Sequence, residues 1–159
     1  MSRSRNPWEF PMAHYSTTVS SPWSPAEAFA YLADMRNFAE WDPGVRRAEL
    51  VAGGEPGPDA AYLLAVKGVV GDIDMRYETL QYTPDERVIV RAETSMFVSL
   101  DEIVIVPTDG GCSVTYDAQL DLRGPLRLFD PLLGLTFKSI GDRAAKGLNR
   151  VLGTSRAAS

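Results

Sequence analysis

The sequence predicts a single α+β domain in which an antiparallel sheet curls around a long C-terminal helix. Five or six segments with alternating apolar and polar residues fill the middle of the chain, and helical patterns lie only before and after them. A run of strands with its helices at the two ends is typical of α+β folds. The last helix carries the only apolar face large enough to cover the sheet, so we expect the sheet to wrap around it.

The first elements are a strand and a well-capped helix. Residues 14–20 alternate and are rich in β-branched side chains, which predicts a strand. Ser24 is a good N-cap, Pro25 suits the first helical position, and Glu27 completes a capping box. We therefore expect a helix over residues 25–34.

A second short helix is expected at about residues 36–41, and it carries an aromatic pair. Phe38 and Trp41 lie on it, and the following Pro-Gly ends it. Two interpretations of Trp41 stay open at this point. The ring is either a cap on the core at one end of the sheet, or it also contacts a ligand at the mouth of a pocket.

Strands are then predicted at residues 45–52, 60–70, 72–82, 97–106 and 112–123. A tight turn at residues 83–86 would place Glu78 opposite Arg91, and this pair of opposite charges supports the register. The same register places Met75 and Tyr77 on the apolar face of the sheet, opposite a further strand that carries Val88, Val90 and Ala92.

One acid in strand 97–106 is predicted to point into the apolar side of the sheet. If Asp109 and Gly110 form a two-residue turn, Asp101 faces Ala118 and points inward; a loop one residue longer would turn Glu102 inward instead. We favour Asp101 because that register agrees with the apolar alternation of the strand. A buried carboxyl group is costly unless it is paired, wet or protonated. It is either a general acid/base or ligand anchor, or an acid at the sheet end that reaches solvent.

The rest of the chain is predicted to be helical. Asp130 and Pro131 resemble an N-cap and first helical residue, and a short turn is expected at 126–129 before them. Apolar residues then recur at steps of three and four, which predicts one long helix with a face to bury. The members of that face are Phe129, Leu133, Phe137, Ile140, Ala144, Leu148 and Val151.

Composition limits the possible partners and the location. The 159 residues suit one domain, expected at 13–152, with a loose leader at 1–12 and a tail at 153–159; Met12 is an alternative start. A net charge of −5 argues against nucleic acid, and no apolar run is long enough to span a membrane. The single cysteine, Cys112, fits a cytoplasmic location and permits no internal disulfide. His14 has no partner at metal-ligand spacing, so no metal or other cofactor is expected.

Three stretches of the chain resemble the START-like superfamily, specifically its polyketide cyclase/dehydrase and lipid-transport family, often labelled SRPBCC. They are VSSPWSPAEAFAYLADMRNFAEWDPGV, PTDGGCSVTYDAQLDLRG and LRLFDPLLGLTFKSIGDRAAKGL, and the resemblance covers about residues 13–152. It implies a helix-grip fold, in which a seven-stranded antiparallel sheet encloses a hydrophobic cavity against the C-terminal helix. Members bind lipids, polyketides, sterols or aromatic compounds, and some are cyclases or aromatases, so the fold leaves the activity open.

The resemblance turns the inward-facing residues into candidates for a ligand site. The expected lining is Trp41, Tyr62, Met75, Tyr77, Phe97, Tyr116, Phe129, Leu133, Phe137 and Ile140, with Asp101 as the candidate catalytic acid. Three hypotheses follow: a carrier of a small hydrophobic molecule, a cyclase or dehydratase that uses Asp101 as acid/base, or a closed core with a role in protein interaction. Oligomeric state stays open.

Overall fold

The structure is a computed structural model that describes residues 13–68, 70–124 and 130–153, with residues 130–135 described by their backbone alone. The expected leader at 1–12, the expected turn at 126–129 and almost all of the expected tail at 153–159 lie outside the described residues. The domain boundaries therefore stay predictions.

The described residues form seven strands, three α-helices and one 3₁₀ turn. The strands are β1 (Ala13–Ser21), β2 (Val45–Ala52), β3 (Ala61–Gly68), β4 (Gly71–Thr83), β5 (Arg87–Glu93), β6 (Phe97–Thr108) and β7 (Gly111–Leu122). The helices are α1 (Pro25–Leu32), α2 (Phe38–Trp41) and α3 (Asp130–Leu152), and the 3₁₀ turn (Met35–Asn37) joins α1 to α2.

All seven strands belong to one antiparallel sheet. Its order is β1-β7-β6-β5-β4-β3-β2, so the first two strands of the chain form its opposite edges. Side chains alternate along the central strands: in β6, residues 97, 99, 101, 103 and 105 are buried and those between them are more exposed. The α+β class and the seven-stranded helix-grip arrangement are confirmed.

Helix α1 begins at the capping box that the sequence predicted. The hydroxyl of Ser24 accepts a hydrogen bond from the backbone N–H of Glu27 at 3.1 Å, and the backbone N–H of Ser24 donates to the Glu27 carboxylate at 3.1 Å. These two bonds satisfy backbone donors that a helix end leaves free. The helix then buries Phe29 and Leu32 against the sheet.

The β4–β5 hairpin has the predicted register as far as Thr79, and a bulge then shifts the register by one residue before the turn. Its charges also pair differently from the prediction. Glu78 lies opposite Arg91, as expected. The ion pairs nevertheless run along each strand: Arg76 contacts Glu78 at 3.7 Å, and Arg91 contacts Glu93 at 2.7 Å. Residues i and i+2 of a strand share a face, so long side chains can meet there as easily as across the ladder.

Helix α3 packs closely on strand β1 and on helix α2 through two glycines. A Cβ atom on Gly141 would lie 2.3 Å from the ring of Tyr15 in β1, and one on Gly147 would lie 1.7 Å from the backbone oxygen of Trp41. Either distance is an overlap, so only glycine permits this approach. The inward placement predicted for Ile140 is wrong: its side chain is 42% exposed, because the helix turns Gly141, not Ile140, toward β1.

Candidate functional site

The candidate site begins with the turn between β6 and β7, which fixes an acid inside the protein. The turn consists of Asp109 and Gly110, and it places Asp101 directly opposite Ala118. Asp101 is 8% exposed, whereas Glu102 faces outward and pairs with Arg87. The sequence-based choice of Asp101 over Glu102 as the inward acid agrees with this register.

Asp101 belongs to a group of polar side chains inside the core, here called the interior polar cluster: Trp41, Tyr77, Ser99, Asp101 and Tyr116. The hydroxyl of Tyr116 donates to Oδ2 of Asp101 at 3.3 Å. The hydroxyls of Tyr77 and Ser99 share a hydrogen bond of 2.9 Å. All five residues are buried, so these polar groups are removed from bulk water.

Ser99 is a member that the sequence reasoning missed. It lies two residues before Asp101 on the same face of β6, and it is 7% exposed. The signal was available, because the alternation that turns Asp101 inward also turns Ser99 inward. Asp42, just after α2, was missed as well; its charge acts on Asp101 through space.

Burial makes Asp101 a group that exchanges its proton near neutral pH. Loss of hydration raises the pKa of this carboxyl group from 3.8 to about 7, and the negative charge of Asp42 adds to that effect. The hydrogen bond from Tyr116 acts in the opposite direction. Burial, together with the charge of Asp101, also raises the pKa of Tyr77 and of Tyr116, so both phenols stay protonated and can donate.

Trp41 is the member of the cluster whose polar group has no hydrogen-bond partner among the described residues. Its side chain is 1% exposed, its ring lies 4.7 Å from Phe38 and 5.3 Å from Tyr116, and the second of these contacts is edge to face. Its indole Nε1 finds no hydrogen-bond partner among the described residues. A buried N–H group without an acceptor costs about 1–3 kcal/mol, which makes this atom exceptional in a folded core.

A narrow space inside the fold, here called the interior gap, lies next to the cluster. It is too narrow for a water molecule, since the volume that a water-sized sphere can reach in it is about 0 Å³. Its described lining consists of Leu32, Ala33, Met35, Phe38, Val88, Val90, Asp101 and Ile103. The lining is therefore apolar apart from one carboxyl group.

The structure brings some of the predicted lining residues together and separates others. Asp101 lines the interior gap. Trp41 and Tyr116 do not line it, but each contacts a residue that does: Trp41 contacts Phe38, and Tyr116 contacts Asp101. Tyr62 is fully buried, and its hydroxyl donates to the backbone oxygen of Ala33 at 3.4 Å, which points to a structural role.

The remaining predicted residues have different surroundings. Met75, Tyr77 and Phe97 are buried in the core, and Phe137 packs partly buried against it. Phe129 lies outside the described residues, as does the side chain of Leu133. Their role in ligand binding stays a prediction.

Two other features have simpler interpretations. Cys112 is fully buried, and burial raises the pKa of its thiol, which makes it a poor nucleophile. His14 lies on the surface with its ring 2.6 Å from Asp117. In the part of the chain that the structure describes, no three His, Cys, Asp or Glu side chains are grouped to hold a metal ion, and no helix could cross a membrane.

Comparison with known proteins gives one family match and many structural neighbours. The family model described as polyketide cyclase/dehydrase and lipid transport matches residues 12–153. A search of curated proteins finds no match.

The structural neighbours include proteins from three bacteria. TTHA0849 from Thermus thermophilus has a TM-score of 0.70 and 17% identity, over 91% of this chain and 99% of that one. A START superfamily protein from Mycobacterium smegmatis has a TM-score of 0.68 and 16% identity, over 88% and 97%. The Zhui aromatase/cyclase from Streptomyces sp. R1128 has a TM-score of 0.67 and 16% identity, over 92% and 97%. At these identities the likeness establishes the fold.

Proposed function

Because the chain belongs to the polyketide cyclase/dehydrase and lipid-transport family, we propose that it binds a small, mainly apolar molecule between the sheet and the helices, as a carrier. The observation behind this proposal is the interior polar cluster beside the interior gap. A core that only had to be stable would gain nothing from a buried acid and an unpaired indole N–H. We also place this activity in the cytoplasm, because a single cysteine permits no internal disulfide and suits a reducing compartment.

The interior gap is narrow, and this determines how a guest can enter it. A guest has to displace lining side chains, so the binding form is a minor state that the guest stabilises. Removal of its apolar surface from water supplies the affinity, at about 25 cal/mol per Å². The cluster supplies orientation through hydrogen bonds.

Native mass spectrometry of protein purified without detergent tests the proposal, followed by calorimetric titration with 2-acetylnaphthalene as an apolar probe. A matched pair of variants locates the site. Ala33→Leu adds volume to the lining of the interior gap and should abolish binding, whereas Ala30→Leu on the exposed face of α1 should leave it unchanged. Equal binding by both variants would remove the interior gap as the site.

A second candidate function, a cyclase or dehydratase, is favoured by the pKa of Asp101 near 7. The carboxylate would remove the proton beside a ketone, and the enolate would attack a second carbonyl of the same chain. The proton would then return to the new alkoxide, and loss of water would give an enone. The conversion of 2,6-heptanedione to its cyclic enone, followed by ultraviolet absorbance, tests this; equal rates for Asp101→Asn and the unchanged protein would exclude Asp101.

A further inference from the structure

One hydrogen-bond donor of the interior polar cluster, Nε1 of Trp41, has no partner among the described residues, and this limits the chemistry of the guest. Every other member already has a partner: Tyr116 donates to Asp101, and Tyr77 shares a bond with Ser99. Nε1 of Trp41 has none among the described residues, although its side chain is 1% exposed. An indole nitrogen can only donate, so the group that completes the cluster has to be an acceptor.

The charges around the cluster limit which acceptor this is. Asp101 is buried in it, and the charge of Asp42 acts on both Asp101 and Tyr116. The buried charged or polar side chains of the described residues are Ser21, Ser99 and Asp101, and no Lys, Arg or His is among them. A carboxylate or phosphate brought here would meet negative charge and no described buried cation to balance it.

We infer that the guest carries a neutral carbonyl oxygen, as in a ketone, aldehyde or ester, and that Nε1–H of Trp41 donates a hydrogen bond to it. This rests on the proposed function, since it specifies which apolar molecules the site accepts. Ionised fatty acids and phosphate head groups are excluded from the cluster. Hydrocarbons bind less well because they leave the indole N–H unpaired in the complex.

Three naphthalene probes of similar size test the inference by calorimetric titration at pH 8. 2-Acetylnaphthalene carries the carbonyl group, 2-isopropenylnaphthalene replaces the carbonyl oxygen by a methylene group in the same planar geometry, and 2-naphthoate carries a charged carboxylate. We expect the ketone to bind roughly tenfold more tightly than the hydrocarbon, the ratio expected for one buried hydrogen bond. Naphthoate should bind more weakly than the ketone.

Two Trp-to-Phe variants separate the indole N–H from the rest of the site. Trp41→Phe should reduce the ratio of ketone to hydrocarbon affinity to near one, whatever it does to both affinities. Trp23→Phe removes another buried indole, one that stacks edge-on against Tyr31, and should keep the ratio. The ratio is the readout because a loss of packing affects both neutral probes alike.

Nuclear magnetic resonance observes the same atom directly. The chain has three tryptophans, and the indole resonance that is missing from the spectrum of Trp41→Phe identifies Nε1–H of Trp41. It should move downfield when the ketone is added and stay in place with the hydrocarbon. Equal binding of the two neutral probes, or tightest binding of naphthoate, would overturn the inference while the carrier function stands. If no probe binds, the carrier function fails, and the inference fails with it.

Discussion

Replacement of the buried acid, Asp101→Asn, should stabilise the protein at neutral pH and leave it unchanged in acid. A carboxyl group whose pKa is higher in the folded than in the unfolded chain holds its proton more tightly when folded. Its contribution to the free energy of unfolding is therefore complete below about pH 4 and is lost as the pH rises to about 7. The shift from 3.8 to about 7 is about 3 pH units, at about 1.4 kcal/mol each. The variant should therefore gain up to about 4 kcal/mol over the unchanged protein above pH 7.

Urea denaturation followed by circular dichroism, from pH 4 to pH 9, measures this difference. Subtraction of the two stability curves cancels the other titrating groups that both proteins share. Asp74→Asn is the matched control, because Asp74 is an exposed acid on another strand of the same sheet, and its difference curve should change little. A flat difference curve for Asp101→Asn, or one that rises toward acid pH, would refute the proposed environment of Asp101.

Three further substitutions have expected outcomes in the same denaturation assay. Tyr116→Phe removes the hydrogen bond that lowers the pKa of Asp101, so the loss of stability with rising pH should continue beyond pH 7. Gly147→Ala should cost about 1–3 kcal/mol or more, because the new Cβ atom would overlap a backbone oxygen and helix α3 would have to shift. Ser24→Ala should cost about 1 kcal/mol through loss of the N-cap of α1.

Each of these three has an outcome that contradicts it. If Tyr116→Phe stops losing stability at the same pH as the unchanged protein, the phenol of Tyr116 does not stabilise the carboxylate of Asp101. Gly57→Ala is the control for Gly147→Ala, since a Cβ atom on Gly57 meets nothing within 4 Å, and equal effects would refute the close approach. Ser16→Ala on the exposed face of β1 is the control for the cap, and an equal loss of stability in both serine variants would contradict the capping role of Ser24.

Local patterns predicted most of the fold because each element carries its own signal. The capping box marked the start of α1, and the Asp109-Gly110 turn fixed the register that turns Asp101 inward. A register shift of one residue would have moved every side chain of one strand to the opposite face of the sheet. A correct turn length therefore determines which side chains of that strand face inward.

The site could be predicted only in part, because its properties depend on contacts between distant elements. Helical periodicity assigned Ile140 to the same face as Ala144 and Leu148, which are buried. Gly141 takes the place of Ile140 on that face through its close contact with Tyr15, and the spacing alone does not predict this contact. The unpaired nitrogen of Trp41 and the effect of Asp42 on Asp101 likewise arise only once α2 is placed against β6 and β7.

The two glycine contacts of α3 make one wall of the interior rigid. Because the helix already touches Tyr15 and the backbone of Trp41, it cannot move closer to either, and moving away would break both contacts. No described residue of α3 lines the interior gap, so extra room for a guest has to come from the side chains that do, among which Met35 is the longest unbranched one. A methionine side chain changes rotamer at little cost. The thickness of the molecules that this protein accepts should therefore depend on how far the side chain of Met35 can move.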